Sequence, residues 1–219
     1  MSALLLAVLL LTPELRSYPT ADSTLLPDIR VRPFGKVSAM VSVKGHLGQQ
    51  PVALYIDPPG VLPTWVGSLV ETSRNGIDFS PLPRGQQLQE RAGRWFIPGE
   101  LSDLTTCYRM RWKDAEGGEH ASGVLLAKRC RDGVVDAVCA APFTYGESIG
   151  LEVALRQRAF LRVVLTEKSS GRPQLLFRGM AEEGVGRWEL GAGIEIRPGI
   201  WEMTVLVNGT ERMRFEIEI

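Results

Sequence analysis

The sequence predicts an all-β protein of two tandem antiparallel β-sandwiches, and three observations carry that expectation. Glycine (23) and proline (14) recur at short intervals through the 219 residues and separate runs rich in Val, Ile, Leu, Phe and Trp, the punctuation of short strands joined by turns. No segment keeps a long 3.6-residue apolar period without an interrupting Gly or Pro, so any helix should be short. Two amphipathic hairpins, one mid-chain and one at the C-terminus, share a pattern.

The C-terminal hairpin is the clearest element. In 201–207 (WEMTVLV) the odd positions are all apolar, and after Asn208-Gly209-Thr210 the run ERMRFEIEI sends Met213, Phe215, Ile217 and Ile219 one way. Arg212, Arg214, Glu216 and Glu218 face the other way. Period-two alternation marks strands with one face on a core and one in water, and Asn-Gly between two such runs signals a hairpin. Placing both apolar faces together requires Val205 opposite Met213 and Met203 opposite Phe215, which a plain two-residue loop does not give. A three-residue loop or a bulge is therefore expected.

The earlier hairpin alternates Tyr108, Met110 and Trp112 with Arg109, Arg111 and Lys113, turns at 114–118 (DAEGG), and returns through Val124 and Leu126. Tyr108-x-Met110-x-Trp112 aligns with Trp201-x-Met203-x-Val205, and each is preceded by Pro-Gly, at Pro98-Gly99 and Pro198-Gly199. The pair reads as a degenerate repeat, each copy closing one sandwich. Upstream strands are expected at 28–32, 36–44, 52–57, 65–71, 77–80 and 86–97, and downstream strands at 148–156, 159–167, 174–179, 186–190 and 193–197. Short strands at this spacing favour sandwiches over a parallel sheet. The division that follows is a signal peptide and leader at 1–23, a first sandwich at 24–130, a linker at 131–141 (RCRDGVVDAVCAA spans 129–141) and a second sandwich at 142–219.

Residues Ser2 to Thr12 form one apolar run, the length of a secretory h-region and too short to span a bilayer. No second apolar stretch follows, so the expectation is an exported protein, secreted, periplasmic or on the cell surface, with no transmembrane span in its mature form. Twenty-five basic and 25 acidic residues cancel. That balance excludes a protein built for polyanion binding, which rests on phosphate neutralisation, so no nucleic acid partner is expected.

The tail from Pro198-Gly199 through Trp201 and the alternating Met203, Val205 and Val207 to Asn208-Gly209 resembles the closing hairpin of bacterial immunoglobulin-like and fibronectin type III-like domains. The resemblance implies immunoglobulin-like sandwiches and a non-enzymatic role in binding, adhesion, envelope assembly or scaffolding, with a protein or cell-envelope partner and a glycan as a further candidate. Leu26-Pro27-Asp28-Ile29-Arg30-Val31, followed by 37–43 (VSAMVSV), is similar to the opening strands of periplasmic pilus chaperones. A two-domain chaperone is therefore the alternative. A third reading is an exported hydrolase or its carbohydrate-binding accessory module.

Few residues carry chemistry. His46 lies in a turn-like KGHLG stretch and His120 just past the Gly-Gly turn, and neither has Cys or His neighbours at metal-ligand spacing. Both read as solvated turn histidines. Asp114, Glu116, Glu182 and Glu183 read as solvated loop carboxylates without the run of oxygen ligands that calcium loops need. No catalytic set, metal site or cofactor is expected. Asn208-Gly209-Thr210 matches a glycosylation acceptor, but turn chemistry explains it. Of the five tryptophans, Trp112 and Trp201 fall on inner faces. Trp65, in a proline-rich segment, is the candidate partner contact.

Strand parity places Cys107 with Arg109 on an outer face and Cys130 with Leu126 on the inner one, which disfavours a bond between them. Cys130 and Cys139 are the candidate disulfide, clipping the expected linker and worth about 2–3 kcal/mol for so short a loop.

Overall fold

A computed structural model of the chain describes residues 30–31, 44–48, 53–57, 69–91, 94–113, 117–141, 148–191 and 196–218. The expected leader, Trp65 and the carboxylates Asp114 and Glu116 lie outside the described residues. In chain order the strands are β1 (Arg30–Val31), β2 (Lys44–Leu47), β3 (Leu54–Asp57), β4 (Leu69–Ser73), β5 (Ser80–Pro81), β6 (Gln89–Arg91), β7 (Arg94–Ile97) and β8 (Thr106–Lys113). They continue with β9 (Glu119–Ala121), β10 (Leu125–Arg129), β11 (Val135–Ala141), β12 (Ile149–Leu155), β13 (Ala159–Glu167), β14 (Pro173–Ala181), β15 (Gly184–Leu190), β16 (Ile200–Val207) and β17 (Thr210–Glu218). One 3-10 turn, at Arg84–Gln86, is the only helical element among the described residues. The all-β expectation holds.

The strands form three sheets. The largest runs β15-β12-β11-β10-β8-β4-β5, with β9 hydrogen-bonded to β8. A five-stranded sheet runs β1-β17-β16-β13-β14, and a four-stranded sheet runs β2-β3-β7-β6. All pairings are antiparallel except β1 with β17. Alternation along the largest sheet feeds two cores. Leu126, Val138, Ala140, Leu151 and Val153 pack with Leu161, Val163, Met203, Val205, Met213 and Phe215 of the five-stranded sheet. Leu125, Ala127, Ala137 and Cys139 pack on the opposite side with Leu47, Leu54 and Ile56 of the four-stranded sheet. The largest sheet is thus the middle layer of three.

The segment expected as a linker contains β11, which sits inside that middle sheet between β10 and β12. Val135, Ala137, Val138 and Ala140 are fully buried. A strand covered on both faces loses the apolar–polar alternation that betrays a half-exposed one. A bulge at Asp136, where the register with β12 shifts, further scrambles the period. Nor does the β8 hairpin close a sandwich: β8 lies between β4 and β10.

The face assignment of β8 also changes. Arg111 pairs with Ala121, yet Tyr108 pairs with Leu125, so three steps on β8 match four on the return. The extra residue flips parity. Buried Ser122 holds the irregularity: its amide donates to Met110 O (2.8 Å), and its hydroxyl accepts the Met110 N–H (2.8 Å) and donates to Gly123 O (2.7 Å). Tyr108, Met110 and Trp112 therefore share a core with Leu125 and Ala127, while Cys107 shares the other with Val124 and Leu126. Cys107 is buried rather than outward because the middle sheet has no water-facing side there.

The C-terminal hairpin follows its expected register, with Met203 opposite Phe215 and Val205 opposite Met213. The turn is two residues, Asn208 (φ 50°) and Gly209 (φ 77°), and the odd residue is absorbed by a register shift that leaves Arg212 as the extra residue on β17. Its guanidinium reaches Asp132 (2.7 Å), whose other oxygen accepts the amides of Val134 and Val135 at 2.8 Å. The bulge thereby ties the hairpin to the entrance of β11.

Candidate functional site

The outward side of the five-stranded sheet is the most developed surface. On β13, Ala159, Leu161, Val163 and Leu165 point into the core, so Phe160, Arg162, Val164 and Thr166 point out. Across the ladder to β14, Phe160 faces Met180, Arg162 faces Arg178 and Val164 faces Leu175. Met180 is 50% and Leu175 38% exposed. The Arg178 guanidinium stands over the Phe160 ring, 5.7 Å from its centroid, a cation–π contact that orients it. Arg162 and Arg178 stand directly opposite on one face, and among the described residues Arg178 has no carboxylate within ion-pair distance. Towards β16 and β17 the face changes character: Lys168 bridges Glu202 (3.1 Å) and Glu216 (2.7 Å), and Arg214 holds Glu211 (2.5 Å). The acidic half is neutralised within the sheet. The β14 half presents cationic and apolar groups.

β14 is also a sheet edge, paired only with β13 among the described residues. Its ladder is regular from Phe177 to Ala181 and bulges at Leu176. Beside it Phe177 packs on Trp188 of β15, with ring centroids 5.5 Å apart, so the edge rests on a firm inner side. Glu182, in the β14–β15 turn, is exposed and pairs with Arg158 at 3.1 Å, as a solvated carboxylate should.

A second constellation is buried. His46 is on β2, not in a solvated turn, and its Nδ1 bonds Glu152 Oε1 on β12. Glu152 Oε2 accepts the Leu47 amide at 2.6 Å, and Arg187 Nε on β15 approaches Oε1 at 3.0 Å. The KGHLG stretch pairs with β3 as a strand because its glycine allows the four-stranded sheet to approach the middle one: a Cβ at Gly45 would lie 3.4 Å from Cys139 Sγ. The signal for Glu152 was one carboxylate inside the apolar run 149–155 (IGLEVAL), since a charge there must be paired to be buried. A carboxylate that orients an imidazole is one half of an acid–base device. Here the carboxylate is shared by three groups on two strands, His46 and Leu47 of β2 and Arg187 of β15, which makes it a clamp between sheets.

The neighbouring thiol does not complete a nucleophilic site. Burial and then the Glu152 charge push the Cys139 pKa far up, and only a thiolate attacks. All three cysteines are free and buried. Cys130 belongs to the core against the five-stranded sheet and Cys139 to the core on the other face, so the expected Cys130–Cys139 disulfide is not formed. The same double-sided burial that hid β11 misplaced this pair.

A polar groove of about 490 Å3 opens beside β4 and β8, lined by Arg74, Asp78, Glu100, Thr106 and Tyr108 among others. Arg74 donates to Leu104 O (3.1 Å) and Thr106 Oγ1 (2.6 Å), and Glu100 is bonded to Arg129. These contacts knit the groove's own wall together. The sequence-expected tryptophans Trp112 and Trp201 are core residues, one in each cluster. Compared with known proteins, the chain matches no family model and no curated protein sequence.

Proposed function

We propose that the chain is an exported, non-enzymatic binding or envelope-assembly protein built on immunoglobulin-like sandwiches, and that it meets a protein partner through β14 and the outward side of β13. The observation that carries this reading is the conjunction at one sheet edge of exposed Met180 and Leu175 with a main chain and an Arg178 that, among the described residues, have no further strand and no carboxylate beside them. Interaction surfaces concentrate arginine and large apolar side chains in this way.

Strand order supports the immunoglobulin-like part. From β11 to β17, the first, second and fifth strands form one layer and the fourth, third, sixth and seventh the other. That is the order of fibronectin type III sandwiches, a fold that hosts many binding functions. Export rests on the apolar run 2–12.

The test is site-specific photo-cross-linking in the native cells, with the photoreactive residue at Leu175 or Met180 and, as control, at Ile77, which is also exposed. A discrete adduct from the two β14 positions, absent from Ile77, in an exported fraction is the expected result. Retention of the chain in the cytosol, or identical adducts from all three positions, overturns the reading.

A further inference from the structure

We infer that the partner is an extended acidic strand that adds to β14 along the edge left unpaired among the described residues, placing a carboxylate beside Arg178 and an apolar side chain beside Met180. The inference rests on the function proposed above and specifies its partner chemistry.

Register dictates this pattern. The regular part of β14 is Phe177 to Ala181, and side chains alternate along a strand. Phe177 faces inward against Trp188 and Ala181 is in the core, so Arg178 and Met180 are the outward residues of that stretch. A strand laid alongside continues the rows already present: Met180–Phe160 in one, Arg178–Arg162–Leu206 in the next. The second row contains two cations side by side and an apolar residue, with no carboxylate before Glu211 on β17, which Arg214 already holds. An Asp or Glu at the new position would face Arg178 directly, in a charge-assisted bond stronger than a neutral one. Two residues along, an apolar side chain would cover Met180 and the edge of Phe160. The recognised strand therefore reads acidic-x-apolar in one chain direction and apolar-x-acidic in the other. The bulge at Leu176 ends the regular edge and limits the main-chain pairing to this short stretch. Strand addition of this kind takes affinity from backbone bonds and specificity from alternate side chains. The competing role for Arg178 is a guard that keeps other strands off the edge.

Short acetylated and amidated peptides separate the two roles on the intact chain: KTVTETVTK, readable in either direction, its charge-reversed form KTVTKTVTK, and KTVTEPVTK, whose proline removes a backbone donor. Fluorescence anisotropy should find the glutamate peptide at least about tenfold tighter than the lysine peptide, with binding lost for the proline form. Arg178→Glu, at an exposed position that leaves the far-ultraviolet circular dichroism unchanged, should reverse the order of the glutamate and lysine peptides. Amide exchange should slow at 177–181 on binding. Equal affinity for the glutamate and lysine peptides, undiminished binding of the proline peptide, no effect of Arg178→Glu, or full protection of every β14 amide in the free chain overturns the inference. If the peptides fail while photo-adducts at Met180 persist, the acidic-strand chemistry falls and the broader binding function stands. If both fail, both fall.

Discussion

Glu152 on β12 and His46 on β2, 106 positions apart in the chain, bond across two different sheets. The carboxylate is almost wholly removed from water and also takes Leu47 N–H and Arg187. Removing it strands the buried Leu47 N–H and takes the carboxylate from half-buried His46, so Glu152→Ala should cost about 3 kcal/mol of unfolding free energy, measured by urea denaturation. His46→Ala should cost less, since Glu152 keeps two partners. The double variant should fall short of the sum. Wild-type stability in Glu152→Ala would remove the clamp from this account.

Close approach of the same two sheets makes Gly45 a second test. A Cβ there would lie 2.9 Å from Leu125 Cδ1 and 3.0 Å from Leu54 Cδ1. Leucine ends can shift to admit one methyl, but a branched side chain overpacks the contact. Gly45→Val should lower stability by about 1–3 kcal/mol and Gly45→Ala by clearly less, read from thermal melts at matched concentration.

Buried thiols set an alkaline limit. Burial raises the Cys107 pKa to about 12 and that of Cys130 to about 11, from 9.0. The folded state therefore holds these protons where the unfolded chain releases them. Stability from the neutral thiols is fully present below pH 9.0 and declines as pH climbs towards the folded values. Urea midpoints in reductant should fall between pH 8 and pH 10, and Cys130→Ala should flatten that fall. An unchanged slope would count against the burial of Cys130.

Asn208 is more than a turn former. Its backbone has φ 50°, its Oδ1 accepts the Phe160 amide at 2.8 Å, and its own N–H donates to Phe160 O at 2.8 Å. Asn208→Gly keeps the left-handed turn and loses one side-chain bond, for about 1 kcal/mol. Asn208→Ala adds backbone strain of about 1 kcal/mol more. Equilibrium unfolding of the two variants separates these contributions, and equal losses would remove the strain component.

Elements with one wet face were legible. The β16–β17 register and its bulge follow from the parity of Val205 and Met213, and β13 spans the residues its alternation marks, 159–167. Elements with two dry faces were not. β11 shows no period because both sides are covered, and the inserted residue near Ser122 put Val124 and Leu126 on the face opposite Tyr108, Met110 and Trp112. The binding surface was half legible: Arg162 and Arg178 stand as polar positions in alternating runs, but only the pairing of β13 with β14 puts them opposite one another. His46 looked like turn chemistry because glycines flank it, and glycine is also what close packing of two sheets requires.

The middle sheet bears on how such a chain can be divided. Modules strung on a flexible connector can be excised, duplicated or exchanged, each carrying its own interior. Here a cut before β11 exposes Ala137 and Cys139 from one fragment, and a cut after it exposes Val138 and Ala140 from the other. Neither piece leaves with a finished surface, so the three layers should travel through recombination together.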